Sequence, residues 1–342
     1  MAGPNGPSMQ DVAVRAGVSL GTVSNVLNRP HMVSERTRRK VQTAIHELGF
    51  VRNEFARQLA GGSSRTLAFV VFDVSNPYFT DVAQGAQAAA DAAGLALYLC
   101  NSGEDLTRQS AYLDLLEQQR VEGVLITPVD PADPRLAALA ARGTPVVVVA
   151  RGSGLGLGSV TVDDVLGGDL AVTHLLDNGH RHIAFVGRAS DFGHTADRLA
   201  GARRAVAREG AEPLTVLETD RTDVAEGRRA GERLAGIPAA RRPTAVFCAN
   251  DLLALGFLQQ AVRLGLRVPE DVAIVGYDDI EFAEAATVPL TTVAQPRQLI
   301  GRTAVELLLE QGRGAPPTDP REIVFKPELV VRDSTRHRVR AP

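Results

Sequence analysis

QDVAVRAGVSLGTVSNVLN, residues 10–28, places apolar or small side chains at Val12, Ala13, Ala16, Val18, Val23 and Leu27, a helical spacing broken at Gly17. Two short helices meeting at a Gly-containing turn make a helix-turn-helix. Ser19 is placed to cap the second helix, and an amide-rich, capped helix end suits a phosphate. Leu20 and Gly21 then open that helix toward base edges, and Asn25 lies far enough along it to reach a base. Thr22, Ser24 and Asn28 are short hydrogen-bonding residues suited to phosphate oxygens. The same run also fits an ordinary αα-hairpin inside a core, and the rest of the chain decides between the two.

The charge distribution favours DNA. Net charge over the 342 residues is −3, yet residues 1–62 hold eight Lys/Arg against four acids, so the remainder carries −7. A basic head on an acidic body is expected when only the head meets phosphate. SERTRRKVQTAIHELGF, residues 34–50, predicts a third helix with a Ser cap, Val41, Ile45 and Leu48 on one face, and a Gly stop. Its Arg38, within a run of four cations, is expected at the DNA backbone. Asn53 to Ala60 has helical character too short to hold alone, and Gly61–Ser64 reads as a flexible linker.

From Leu67 the texture becomes alternating buried strands and helices. LAFVVFD, LALYLC, EGVLIT and TPVVVV have the continuous apolar character of parallel strands covered on both faces. The pattern restarts after a Gly-rich stretch (152–158) with HIAFVG, PLTVLE, TAVFCA and VAIVGYD. Two such sets predict two doubly wound lobes, and the tail, with LTTV, an amphipathic helix and EIVFKPELVV, crosses back between them. Ligands bind beyond the carboxyl ends of such strands, here in a cleft between lobes. The candidates are Asp73, Ser75 and Asn76; Arg151; Asp191 and His194; Asp220 and Arg221; Asn250 and Asp251; Asp278 and Asp279.

DVAVRAGVSLGTVSNVLN, VSERTRRKV, NEFARQLAGGSSRTLAFVV, DVSNPYF, DRLAGARRA, CANDLLALG, VGYDD and PLTTVAQP occur together in one order, and in this the chain resembles the LacI/GalR family of transcription regulators from about Gln10 to Ser334. The resemblance implies an all-α helix-turn-helix domain (1–52), a hinge helix and linker (53–64), a two-lobed periplasmic-binding-protein-like α/β domain of two doubly wound parallel sheets (65–334) and a tail (335–342). It splits the large domain into a first lobe of about 65–162 and 294–321 and a second of about 163–293 and 322–334. It implies a DNA-contacting set of Ser19, Leu20, Gly21, Thr22, Ser24, Asn25, Asn28, Arg38, Asn53, Ala56 and Leu59, with Leu59 wedged into the minor groove. It places Arg198, Asn250, Asp278 and Gln295 at effector-contacting positions and Ser75, Tyr78 and Phe79 on the first-lobe wall, beside Asp73, Arg151, His194 and Arg221 at strand ends.

The expected protein is therefore a repressor. A homodimer binds a palindromic operator on double-stranded DNA, and a small, sugar-like effector in the cleft controls it. Release by an inducer is the expected mode and corepression the alternative. Three departures matter: Arg52 stands where the family usually has Pro, Ala150 where many members have Asp, and Arg221 where a stacking aromatic often lies. Ala150 and Arg221 together suit an effector with negative charge; the alternative, that Arg221 is a solvated loop residue, stays open. With 4% aromatic residues and no Trp, ring stacking is poorly supplied.

Other classes fit less well. G-x-G-x-x-G and G-x-x-x-x-G-K-[ST] are both missing from the sequence, and neither an enzyme nor a cofactor is expected. Asp191-Phe192-Gly193 lacks the partners of a kinase metal motif, and Gly179-His180-Arg181-His182 has no clustered ligands. Asp163-Asp164 and Asp278-Asp279 sit at strand ends, where neighbours point apart, so a shared proton is not expected. Cys100 and Cys248 lie in apolar runs and read as reduced core residues. No apolar run reaches the ~18 residues of a membrane span, and no basic n-region opens the chain; a cytoplasmic protein is the expectation.

Overall fold

The computed structural model describes residues 6–51, 64–149, 154–188, 193–312 and 320–336. Arg52, Asn53, Ala56, Leu59, Ala150, Arg151 and Asp191 lie outside these residues. The chain forms two compact units, Met1–Ser64 and Arg65–Pro342.

Among the described residues of the first unit three α-helices form the head: α1 (Met9–Ala16), α2 (Leu20–Asn28) and α3 (Glu35–Leu48). Local sequence sets each boundary. Ser8 and Asp11 form a reciprocal capping box, Ser19 and Ser34 cap α2 and α3, and Gly17 and Gly49 end α1 and α3 with φ of 65° and 62°. Val12, Ala13, Val23, Val26, Val41 and Ala44 form the small core. Arg15 of α1 is ion-paired to Glu47 of α3 at 2.6 Å.

The second unit holds two six-stranded sheets. Its elements are β1 (Thr66–Val71), α4 (Pro77–Ala92), β2 (Ala96–Asn101), α5 (Leu106–Gln118), β3 (Gly123–Ile126), α6 (Pro134–Ala141), β4 (Val146–Val149), β5 (Gly158–Val162), α7 (Asp164–Asp177), β6 (Ile183–Gly187), α8 (His194–Arg208), β7 (Thr215–Glu218), α9 (Val224–Ala235), β8 (Ala245–Cys248), α10 (Asp251–Arg263), β9 (Ala273–Asp278), α11 (Glu281–Glu284), β10 (Thr291–Ala294), α12 (Arg297–Gly312), β11 (Glu322–Phe325) and β12 (Glu328–Val330). The sheet orders are β11-β5-β4-β3-β1-β2 and β12-β10-β9-β8-β6-β7. Chain order through the two sheets is thus the same, a doubly wound pattern repeated. All pairs are parallel except β10 with β12.

The chain crosses between lobes after β5, after β10 and again after β11. The last crossing corrects the expected lobe boundary. β11 pairs with β5 in the first sheet, so residues 322–325 belong to the first lobe and not to the second. Its burial pattern, Glu322 exposed, Ile323 partly buried, Val324 exposed, Phe325 partly buried, is that of an edge strand, which either sheet can accept.

Close helix pairs fix the lobes. A β carbon on Gly85 of α4 would lie 1.9 Å from the Gln298 carbonyl oxygen of α12, and one on Gly301 1.9 Å from that of Val82. α7 and α8 meet in the same way, at Gly168 against the Arg198 carbonyl and Gly201 against that of Val165, each 1.9 Å. Only glycine admits backbones this close. Among the described residues, no helix is long and apolar enough to cross a membrane.

Candidate functional site

The head presents one face of α2. Buried Val23 and Val26 point it inward, so Leu20, Gly21, Asn25 and Asn28 come out on the exposed side. Ser19 and Thr22 hydroxyls are 2.9 Å apart, and Asn28 donates to Ser24 at 3.1 Å, so these short polar groups are held in place along the helix edge. Leu20 keeps 46% of its surface exposed, an apolar side chain with no core to enter. Arg38 is half-buried at the start of α3. Asn53, Ala56 and Leu59 lie outside the described residues.

A cavity of about 710 Å³, open mouth included, lies between the lobes at the carboxyl ends of the strands. Of the eleven residues expected there, Asp73, Tyr78, Phe79, His194, Arg198, Asn250, Asp278 and Gln295 line it. Two do not. Ser75 is exposed and bonds back to Asp73 through its N–H (2.9 Å) and hydroxyl (2.7 Å). Arg221 is exposed and paired with Asp223 at 3.1 Å, the residue that caps α9. Arg151 lies outside the described residues. Asp164, Phe72, Thr127, Thr195 and Thr222 line the cavity and were not expected there.

The second-lobe wall is organised around Arg198. It projects from α8, is 4% exposed, donates Nε to Asp164 Oδ1 at 2.8 Å and Nη1 to the Ala249 carbonyl at 2.6 Å, and lies 3.6 Å over the Tyr277 ring. Burial opposes its charge, but Asp164, Tyr277 and Asp278 outweigh it and push the guanidinium pKa up. Arg198 also stands 3.7 Å from Asp278 Oδ1, which accepts from Gln295 Nε2 at 2.7 Å. Asn76 of the first lobe reaches Asp278 Oδ2 at 3.5 Å. Burial pushes the Asp278 carboxyl up to about 6, against the pull of Arg198, the Asn76 hydrogen bond and Arg297. Burial, with Arg198 beside it, takes His194 down to about 4, so its ring is neutral near pH 7.

Asn250 lines the cavity with its amide already committed, Oδ1 accepting from Leu253 N–H and Nδ2 donating to the Thr222 carbonyl. Asp251 is fully buried beneath the wall. The first-lobe wall is aromatic: Phe72 and Phe79 ring centroids are 6.2 Å apart, Tyr78 and Phe79 5.1 Å. Rings are scarce in the chain but concentrated here, contrary to the expectation from composition. Tyr78 packs against the cores of both lobes. Across the mouth, Arg188 of the second lobe pairs with Glu104 of the first at 2.9 Å. The adjacent carboxylates have separate partners, set by more than strand alternation: Asp163 caps α7 while Asp164 pairs with Arg198, and Asp279 pairs with Arg332. Among the described residues no group of His, Cys, Asp and Glu is arranged to hold a metal.

A helix-turn-helix unit followed by a two-lobed fold with a polar cleft defines a ligand-responsive DNA-binding regulator. The model for bacterial regulatory proteins of the lacI family matches residues 8–53, and that for a periplasmic binding protein-like domain matches residues 172–335. The HTH-type transcriptional repressor PurR of Aliivibrio fischeri (strain MJ11) is 35% identical over 97% of this chain and 99% of its own, and PurR of Vibrio vulnificus is 36% identical over 96% and 98%. Among solved structures, the lac repressor dimer bound to operator and the anti-inducer ONPF superposes with a TM-score of 0.84 at 30% identity, covering 97% of this chain and 99% of the other. The transcriptional regulator CelR in complex with cellobiose gives 0.70 at 33%, covering 96% and 99%. The chain belongs to the lacI family of bacterial regulatory proteins and is a transcriptional repressor, not an enzyme, with a DNA-binding domain followed by an effector-binding domain.

Proposed function

We propose that this repressor binds a palindromic operator as a homodimer and releases it when a neutral polyhydroxylated ligand, a sugar or sugar derivative, fills the cleft. The observation that carries the ligand class is the pairing of the Phe72, Tyr78 and Phe79 rings on one wall with the Asp278 carboxylate on the other. A carboxylate accepts from two hydroxyls at once, while rings cover the apolar face of a sugar. Arg198, the cation among the described lining residues, is committed to Asp164, the Ala249 carbonyl and Tyr277. That leaves an anionic effector without the partner that Arg221 was expected to supply, since Arg221 pairs with Asp223 outside the cavity.

The dimer is supported by exposed Tyr98 and Leu99 on the edge strand β2 and by exposed Phe282 on α11, apolar surface that a monomer would leave in water. In this reading α2 of each head reads a half-site, Arg38 meets phosphate, and residues 53–64 connect ligand state to DNA.

Thermal unfolding against a panel of neutral sugars, sugar acids, sugar phosphates and purines tests the ligand class. A ligand at about 100 times its Kd adds about 2.7 kcal/mol. A neutral sugar is expected to protect the wild type, and protection by sugar phosphates alone would overturn the reading. pH sharpens the test. The folded-state value of Asp278, about 6, lies above the ordinary 3.8, so stability from its protonated form is present below 3.8 and lost as pH rises through 6. Ligand protection, which needs the carboxylate, should grow over that same window and at pH 5 be about half its full value, about 1.4 kcal/mol. Protection that is flat across the window would remove Asp278 from the ligand's partners.

A further inference from the structure

Asp278 has a φ of 105° and Asp279 a φ of 53°, two successive left-handed residues that carry a β carbon. Such backbone persists only where the surroundings over-determine it. The second lobe supplies part of that constraint: Asp251 Oδ2 accepts the Ile280 N–H at 2.9 Å, its Oδ1 accepts the Thr292 hydroxyl at 2.7 Å, and Thr292 Oγ1 faces the Asp279 N–H at 3.3 Å. Arg332 of the same lobe pairs with the Asp279 carboxylate at 2.8 Å, and a further constraint comes from the first lobe. Arg297 Nη1 donates to the carbonyl oxygens of both Asp278 and Asp279. Its Nε is ion-paired to Asp81 Oδ2 at 2.8 Å.

The fixing of Arg297 is unusual for a long side chain. It opens α12, one turn before Gly301, and Asp81 stands on α4, one turn before Gly85. These are the two glycines at which α4 and α12 touch backbone to backbone. The distance between the Asp81 and Arg297 backbones is therefore set by this close helix contact, and the guanidinium is presented as a rigid fork.

We propose that Arg297, clamped by Asp81, is a positioning residue for Asp278: a first-lobe guanidinium that holds the strained second-lobe turn and so ties the aim of the cleft carboxylate to the placement of the two lobes. This rests on the reading that Asp278 meets the ligand. Arg297 hydrogen-bonds the turn through main-chain carbonyls, so it aims the carboxylate through the backbone, and it leaves the carboxylate oxygens to Gln295, Asn76, Arg198 and the cleft.

Amide hydrogen exchange of the full, ligand-free chain tests this, because it needs no ligand and reads the turn itself. In Arg297→Met, which keeps the stem and removes the donors, the amides of residues 279–283 are expected to exchange about tenfold faster, with strands β6 and β8 unchanged. Arg297→Lys should restore part of the protection, and Asp81→Asn, in the other lobe, should raise exchange at the same amides severalfold. Wild-type exchange at 279–283 in Arg297→Met overturns the proposal. So does acceleration spread evenly over the unit, which would mark a merely structural role. Failure of the sugar panel leaves this measurement readable, so the two readings fail separately.

Discussion

Arg198→Ala is expected to lower the unfolding free energy of the two-lobed unit by about 3–5 kcal/mol, read from urea denaturation at pH 7. The loss has three parts. Asp164 and Asp278, 8% and 3% exposed, remain in place without their buried countercharge. The Ala249 carbonyl loses its donor, and the Tyr277 face loses the guanidinium 3.6 Å above it. Asp278, which burial already pushes up to about 6, escapes its penalty by taking up a proton, so the deficit should shrink when the comparison is repeated at pH 5. Arg198→Lys keeps a charge but not the fork that serves Asp164 and the carbonyl together, and should fall in between. A loss below about 1 kcal/mol in Arg198→Ala would be that of a surface pair and would remove Arg198 from the centre of the wall.

Gly201→Ala should destabilise by about 3 kcal/mol or more, against the helix-propensity gain of about 1 kcal/mol that alanine brings to an exposed helix interior. The added β carbon would lie 1.9 Å from the Val165 carbonyl oxygen and 2.8 Å from the Asp169 nitrogen. Both are backbone atoms of α7, and neither can rotate away. α7 and α8 must separate, and since they carry Asp164 and Arg198, the ion pair of the cleft separates with them. Gly236→Ala is the contrast: φ is −69°, and the nearest atom to its β carbon is 3.5 Å away. There the smaller entropy of the unfolded chain should raise stability by up to about 1 kcal/mol. Thermal or urea midpoints in the opposite order would contradict the close packing of α7 on α8.

The elements that follow from periodicity and caps were legible in the sequence. Ser19 and Ser34 announce two helices of the head and Gly17 and Gly49 end two, whereas the Ser8–Asp11 capping box that starts α1 went unread. The cleft was partly legible, because residues after parallel strands must face it. Two things hid the rest. A residue after a strand can serve its own backbone instead of a ligand: Ser75 closes a turn with Asp73, and Arg221 neutralises the cap of α9. The reverse holds for Asp164, which resembles one half of an acidic pair yet begins α7 and aims inward because Asp163 takes the cap. β11 joins the first lobe and not the second; a half-exposed edge strand carries little information about which sheet it joins. The left-handed pair Asp278-Asp279 has no sequence signal at all, since neither residue is glycine; its partners, Asp251, Thr292, Arg297 and Arg332, come from distant parts of the chain.

Control of DNA by the cleft is read from a single titration. Duplexes enriched from a random pool by the full chain are labelled, and their affinity for the protein is followed by fluorescence anisotropy with and without the neutral sugar that gives thermal protection. Two chains per palindromic duplex are expected, with affinity falling about tenfold or more on addition of the sugar, within the range of ordinary coupling free energies. Asp278→Ala should bind the same duplex and ignore the sugar. An unchanged operator affinity in the wild type, or an equal loss in wild type and Asp278→Ala, would contradict control through this cleft.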